Sequence, residues 1–84
     1  MYDERFAEIY DAAHGFKDYA RESKYVADAI KCVNAGARTM LEVACGTGRF
    51  LERFRTDFDV QGLDYSRAML ARASERVPGV ALHE

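Results

Sequence analysis

Leu41-Glu42-Val43-Ala44-Cys45-Gly46-Thr47-Gly48-Arg49-Phe50 reads as a strand, a tight glycine turn and the start of a helix. A second short apolar run, Val60-Gln61-Gly62-Leu63, ends on Asp64. A glycine turn lets the backbone approach a ligand closely. The helix start leaves free backbone N–H groups at that turn. An acidic residue about 20 positions further on, at the end of the next strand, is where a βαβ nucleotide site holds a ribose diol. The pattern therefore reads as a site for an adenosine-type cofactor.

Working outward, the spacing predicts two helices before the first strand. Residues 3–13 place Phe6, Ile9, Tyr10 and Ala13 on one face, and Gly15 ends that helix. Residues 18–33 carry a buried stripe of Val26, Ala29, Ile30 and Val33, stopped by Asn34 and Gly36. The first strand covers 39–44 and is nearly continuous apolar, as expected for a strand covered on both faces. A helix at 47–56 turns Phe50, Leu51 and Phe54 inward, and strand two follows at 59–63. Ser66 caps a helix at 67–76 whose core face is Met69, Leu70 and Ala73. Pro78-Gly79 is a turn, and Val80-Ala81-Leu82-His83 begins a third strand.

Two helices followed by β-α-β-α-β make an α/β fold, the N-terminal half of a Rossmann-like doubly wound sheet. The first strand normally sits mid-sheet, and here one of its edges has no partner in the sequence. The 84 residues are therefore expected to be the N-terminal portion of a longer protein, with a helical lid at 1–36 and a Rossmann-like part at 37–84.

Composition narrows the function classes. Twelve basic and 14 acidic residues leave a net charge of −2, which argues against a nucleic-acid partner or a membrane surface. No apolar run approaches a membrane span, and the acidic start Met1-Tyr2-Asp3-Glu4-Arg5 does not resemble a signal peptide. Cys32 and Cys45 have no CxxC spacing, which fits a reduced, cytoplasmic protein and suggests no metal site. Cys32 is expected to be packed. Cys45 has no visible activating partner for a nucleophilic role. The arginines at 49, 53, 55, 67, 72 and 76 read as solvated helix faces.

Residues 41–50 and 62–70 resemble the class I, Rossmann-like S-adenosylmethionine (SAM)-dependent methyltransferases. The family pattern is an acidic residue in strand one (Glu42), a glycine turn (Ala44, Cys45, Gly46, Thr47, Gly48), then an acidic residue closing strand two (Asp64), followed here by Tyr65-Ser66-Arg67-Ala68-Met69. Ala44 stands where many members have a first glycine, a departure that is harmless if its φ is negative. A nicotinamide fingerprint would want a third glycine near position 51, where this chain has Leu51.

Met1-Tyr2, Tyr10-Asp11 and Lys17-Asp18-Tyr19-Ala20-Arg21-Glu22 are similar to the N,N-dimethyltransferases of nucleotide-linked amino sugars in antibiotic biosynthesis. That resemblance implies SAM as cofactor and a small-molecule amine as acceptor. It places Tyr2, Tyr10 and Tyr19 at the methionine end of SAM, Glu42 toward the methionine amino group and Asp64 on the ribose. Tyr65, Ser66 and Met69 complete the implied cofactor contacts. His14 is the one neutral-range titrating group of the N-terminal segment and the candidate base. A homodimer of the longer protein is one assembly left open. Two other classes stay open as well: an NAD-dependent oxidoreductase half-domain, and a non-catalytic SAM-binding or interaction module. On the leading reading the 84 residues alone do not catalyse.

Overall fold

The computed structural model describes residues 4–15 and 17–84. Tyr2 lies outside the described residues. The elements are α1 (Glu4–His14), α2 (Tyr19–Val33), β1 (Thr39–Val43), α3 (Arg49–Phe54), β2 (Asp59–Leu63), α4 (Arg67–Arg76) and β3 (Ala81–His83). The strands form a parallel sheet in the order β1-β2-β3, with Glu42 opposite Gly62 and Gly62 opposite Leu82. Parallel neighbours need crossovers, and α3 and α4 supply them.

Three helix boundaries have a local cause in hydrogen bonding. Asp18 accepts the Arg21 N–H at 3.0 Å to open α2, and Asn34 closes it by donating to the Ile30 carbonyl at 2.7 Å. Ser66 Oγ accepts the Met69 N–H at 3.2 Å at the start of α4. Strand β1 stops one residue short of expectation because Ala44 has φ +60°, which no extended strand can contain.

One face of the sheet carries Met40, Val60, Gly62 and Leu82. It meets a core of Leu51, Phe54, Phe58, Val60 and Val77, with Ala27 and Cys45 joining from α2 and the glycine turn. Gly62 makes this packing possible. A Cβ there would lie 2.7 Å from Leu51 Cδ1, 2.8 Å from Cys45 Sγ and 2.9 Å from Leu82 Cδ2. The close helix–strand approach that a dinucleotide fingerprint obtains from a glycine on the helix comes here from a glycine on the strand.

The opposite face differs from the sequence expectation. Leu41 is 55% and Val43 67% exposed, so β1 is covered on one face only among the described residues. The core that α3 helps to build lies wholly on the Met40–Val60 side.

The N-terminal helices also differ. α1 buries Ala7 and Asp11, leaving Phe6 and Ile9 exposed. α2 buries Tyr19, Ser23 and Ala27, leaving Val26 and Val33 exposed, and Cys32 is exposed rather than packed. The inward face of α1 is small and polar, whereas that of α2 combines Ser23 and Ala27 with the ring of Tyr19 and with Ile30, which packs against the core. Small residues permit close approach, and α1 is held by charge pairing rather than by its apolar stripe.

Candidate cofactor site

The site forms where the ends of β1 and β2 meet the turn 44–48. Ala44, Gly46 and Gly48 all have positive φ, at +60°, +58° and +84°. The negative φ expected at Ala44 is not observed; a methyl-bearing residue occupies the left-handed region, at a cost of about 1–2 kcal/mol. At Gly46 a Cβ would meet nothing within 4 Å. The backbone therefore faces open space, as a surface that receives a ligand requires. Gly48 is different: a Cβ there would come within 3.2 Å of Ala73, so it serves the approach of α4.

Asp64 locks the turn. Its Oδ2 accepts the Gly46 N–H at 2.9 Å and its Oδ1 accepts the Ser66 N–H at 2.9 Å. Each carboxylate oxygen keeps a second lone pair, so two hydroxyls can still be received. Two backbone bonds support the same junction: Cys45 N–H to the Leu63 carbonyl and Asp64 N–H to the His83 carbonyl, both 3.0 Å.

A cavity of about 140 Å³ opens beside this junction. Its lining includes Tyr10, Tyr19, Glu42, Ala44, Cys45 and Thr47, with Lys17, Arg49 and Phe50. The first six are all residues singled out from the sequence, and they come from α1, α2, β1 and the turn. Ligand sites commonly measure about 300–1,000 Å³, so this one fits one end of a cofactor. A recess of about 430 Å³ between α2 and α3, lined by Lys24, Asp28, Glu52, Arg53 and Asp57 among others, contains none of the site residues.

Glu42 is the electrostatic feature of the cavity. Its Oε1 is buried and accepts no hydrogen bond, and burial pushes its pKa up to about 7. An unpartnered buried carboxyl oxygen is costly, and a cationic N–H donor in the cavity would satisfy it. Burial, followed by the neighbouring Tyr19, raises the Tyr10 phenol above its ordinary value. Burial also pushes the Cys45 thiol up to about 11, which suits a packed residue and not a nucleophile.

The remaining sequence candidates fall in three settings. Tyr65 is 80% exposed beside Asp64. Ser66 and Met69 are buried in the cap of α4. His14 does not line the cavity; its ring stacks on Tyr10 at 4.1 Å, and its Nδ1 lies 2.9 Å from the Tyr10 carbonyl. Because a carbonyl only accepts, Nδ1 carries the proton, and in the neutral ring Nε2 holds the free lone pair.

The sequence reading missed one cluster. Asp11, 5% exposed, accepts from the Thr47 hydroxyl, from Arg49 Nε at 3.2 Å and from Arg72 Nε at 2.8 Å. Arg76 Nη2 stands 3.5 Å away. Arg49, Arg72 and Arg76 are thus not solvated helix faces, whereas Arg53, Arg55 and Arg67 are exposed as expected. Burial would raise the Asp11 pKa, but the Thr47 hydroxyl and the guanidiniums outweigh it and hold the carboxyl below its usual range. One signal was available: Arg72 and Arg76 stand at i,i+4 on one helix, an arrangement that repels unless an acid answers it. Among the described residues no group of acidic, His and Cys side chains could hold a metal, and no helix is long and apolar enough to cross a membrane.

A parallel sheet with a glycine turn after β1 and a carboxylate closing β2 defines a Rossmann-type cofactor domain. Residues 40–84 match the family model described as a methyltransferase domain, and the chain belongs to that family. It is 40% identical over 87 residues to a dTDP-3-amino-3,4,6-trideoxy-alpha-D-glucopyranose N,N-dimethyltransferase of Streptomyces venezuelae, covering 100% of this chain and 37% of that protein. It is 42% identical over 86 residues to a dTDP-4-amino-2,3,4,6-tetradeoxy-D-glucose N,N-dimethyltransferase of Saccharopolyspora spinosa, covering 99% of this chain and 34% of that one. The structure of SAM-bound CalS10, an amino pentose methyltransferase from Micromonospora echinaspora, superposes with a TM-score of 0.84 at 45% identity, covering 89% of this chain and 33% of CalS10. The chain thus spans about a third of the length of these relatives.

Proposed function

We propose that this chain is the SAM-binding part of a methyltransferase that modifies the amino group of a nucleotide-linked sugar. The observation that carries the reading is the Glu42 cavity. Residues from four elements meet there around a buried carboxyl oxygen that lacks a donor. The methionine end of SAM bears an ammonium group, the donor that Glu42 Oε1 is missing. Asp64 then receives the ribose hydroxyls on its spare lone pairs, and the Gly46 backbone faces the cofactor. Tyr65 offers its ring to the adenosine side, and helices α1 and α2 form a lid that brings Tyr10 and Tyr19 to the methionine end.

When bound, SAM supplies a methyl group already activated by the positive sulfonium. The protein aligns the acceptor, excludes water and receives one proton. An amine attacks only when neutral, and His14 Nε2 is the proton acceptor this chain offers, reached at the outer side of Tyr10. The nucleotide-sugar acceptor rests on the relatives' names and on the resemblance of the N-terminal segment. An antibiotic-pathway role and a cytoplasmic location follow from the same reading. The 84 residues alone bind cofactor without turnover, because a cavity of about 140 Å³ leaves no enclosed room for an acceptor.

The test is titration calorimetry with SAM and, separately, with NAD. Binding of SAM but not NAD supports the reading; the reverse result would replace it with the oxidoreductase alternative. Mass-spectrometric detection of S-adenosylhomocysteine in the full-length protein, supplied with nucleotide-linked amino sugars, separates an enzyme from a binding module.

A further inference from the structure

The Asp11 cluster is larger than the fastening of one helix requires. α1 buries a single apolar side chain, Ala7, among its described residues, and its larger apolar groups Phe6 and Ile9 are exposed. Burying one alanine contributes little, since apolar burial yields about 25 cal/mol per Å². What holds α1 is Asp11. Its carboxylate reaches Thr47 in the glycine turn, Arg49 at the start of α3, and Arg72 and Arg76 on α4. Its backbone carbonyl accepts a further bond from Arg49 Nη2 at 3.2 Å. Its neighbour in sequence, Tyr10, lines the Glu42 cavity.

We propose that Asp11 is a positioning residue for the cofactor site: it holds the glycine turn and helix α1 in one arrangement, so that binding at the turn and docking of α1 are coupled. The proposal rests on the reading of the cavity as a SAM site. A ligand that touches both the turn and Tyr10 favours the docked arrangement, and by linkage the docked arrangement favours the ligand. Thr47 is the joint. Its hydroxyl donates to Asp11 while its backbone belongs to the turn, so any movement of α1 is felt at Gly46 and Gly48.

The experiment is hydrogen exchange of the chain with and without SAM, together with calorimetric SAM titration, on the wild type, Asp11→Asn and Thr47→Val. In the wild type SAM should slow exchange along α1 as well as at residues 45–48. Asp11→Asn should bind SAM about tenfold more weakly, within the usual range of coupling effects. It should speed exchange in α1 and the turn while leaving β1 and β2 as protected as before. Thr47→Val keeps the ion pairs, so it reports even if Asp11→Asn does not fold. It should keep α1 docked, weaken SAM by about threefold, the loss of one ordinary hydrogen bond, and diminish the SAM-dependent protection of α1. Wild-type SAM affinity in a folded Asp11→Asn, or in Thr47→Val with full protection of α1, overturns the proposal and leaves the SAM reading standing. Equal acceleration through β1 and β2 means that Asp11 only stabilises the fold, and also overturns it. Absence of SAM binding in the wild type refutes the functional reading instead. The ligand-free comparison then decides the link itself: faster exchange at both α1 and the turn in Asp11→Asn supports it, and an unchanged turn overturns it.

Discussion

The Asp64 carboxylate accepts the Gly46 N–H at 2.9 Å, so the end of β2 is hydrogen-bonded directly to the turn that follows β1. The group expected to hold a ribose thus also shapes the glycine turn that we propose faces the cofactor. Asp64→Ala should weaken SAM binding by about 1.5–3 kcal/mol, the scale of hydrogen bonds to a charged group. It should also release the Gly46 amide to faster exchange. Calorimetry with exchange on the same sample checks both; unchanged affinity in a folded variant removes Asp64 from the site.

Gly46→Val tests the open side of the turn. Its side chain meets no protein atom within 4 Å of the Cβ position, so no core contact is lost. The residue must nevertheless hold φ near +58°, at a cost of at least about 1–2 kcal/mol. The variant should keep its α/β circular dichroism and lose SAM binding. Normal binding would mean that the turn is only a connection.

Ala44→Gly should stabilise the protein. Relief of the left-handed alanine returns about 1–2 kcal/mol, while glycine's extra freedom in the unfolded chain takes back about 0.5–1. A net gain of about 0.5–1 kcal/mol is expected in urea unfolding. A loss would show that the Ala44 methyl, which lines the cavity, makes contacts worth more than the strain.

Gly62→Ala should do the opposite. The added methyl would sit under 3 Å from Leu51, Cys45 and Leu82 at once. Overpacking of this kind costs about 1–3 kcal/mol. Thermal unfolding measures the loss, and if the Leu51 contact is the cause, Gly62→Ala and Leu51→Ala together should cost less than the sum of the two separate losses.

Glu42 sets a pH dependence. Burial raises its pKa from 4.5 to about 7 in the folded protein. Below pH 4.5 the carboxyl is protonated folded or unfolded, and its contribution is fully present. As pH rises to about 7, the unfolded chain ionises first, and stability is lost across that window. Urea unfolding across the window should show this decline, and Glu42→Gln should flatten it. A bound ammonium favours the ionised form, so SAM affinity should rise over the same range with proton release. Calorimetry in buffers of different ionisation heats measures that release.

The elements and the glycine turn were legible because their signals are local. Strand-turn-helix order follows from apolar spacing, the Ser66 cap and the positions of glycine. Tyr10, Tyr19, Glu42, Ala44, Cys45 and Thr47 were all named from motifs and lie around one cavity. The inward faces of α1 and α2 were not legible. Periodicity points to the most apolar stripe, of which Ile30 does pack against the core, but the helices bury Ala7, Asp11, Tyr19, Ser23 and Ala27 instead of Val26 and Val33.

By itself, the order of residues determined an α/β unit with a glycine turn after its first strand and a carboxylate after its second. Those features depend on neighbours within a few positions, where backbone sterics and side-chain spacing act directly. Tertiary structure alone decided that Asp11 answers Arg72, 61 positions away, and that Gly62 rather than position 51 provides the close approach of α3 to the sheet. It also decided that Ala44 takes a left-handed φ and that Glu42 Oε1 is left without a donor. Such relations arise between segments distant in sequence. The free energy of a buried charge or of a sub-3 Å approach depends on what packs against it, and the chain carries no local record of that.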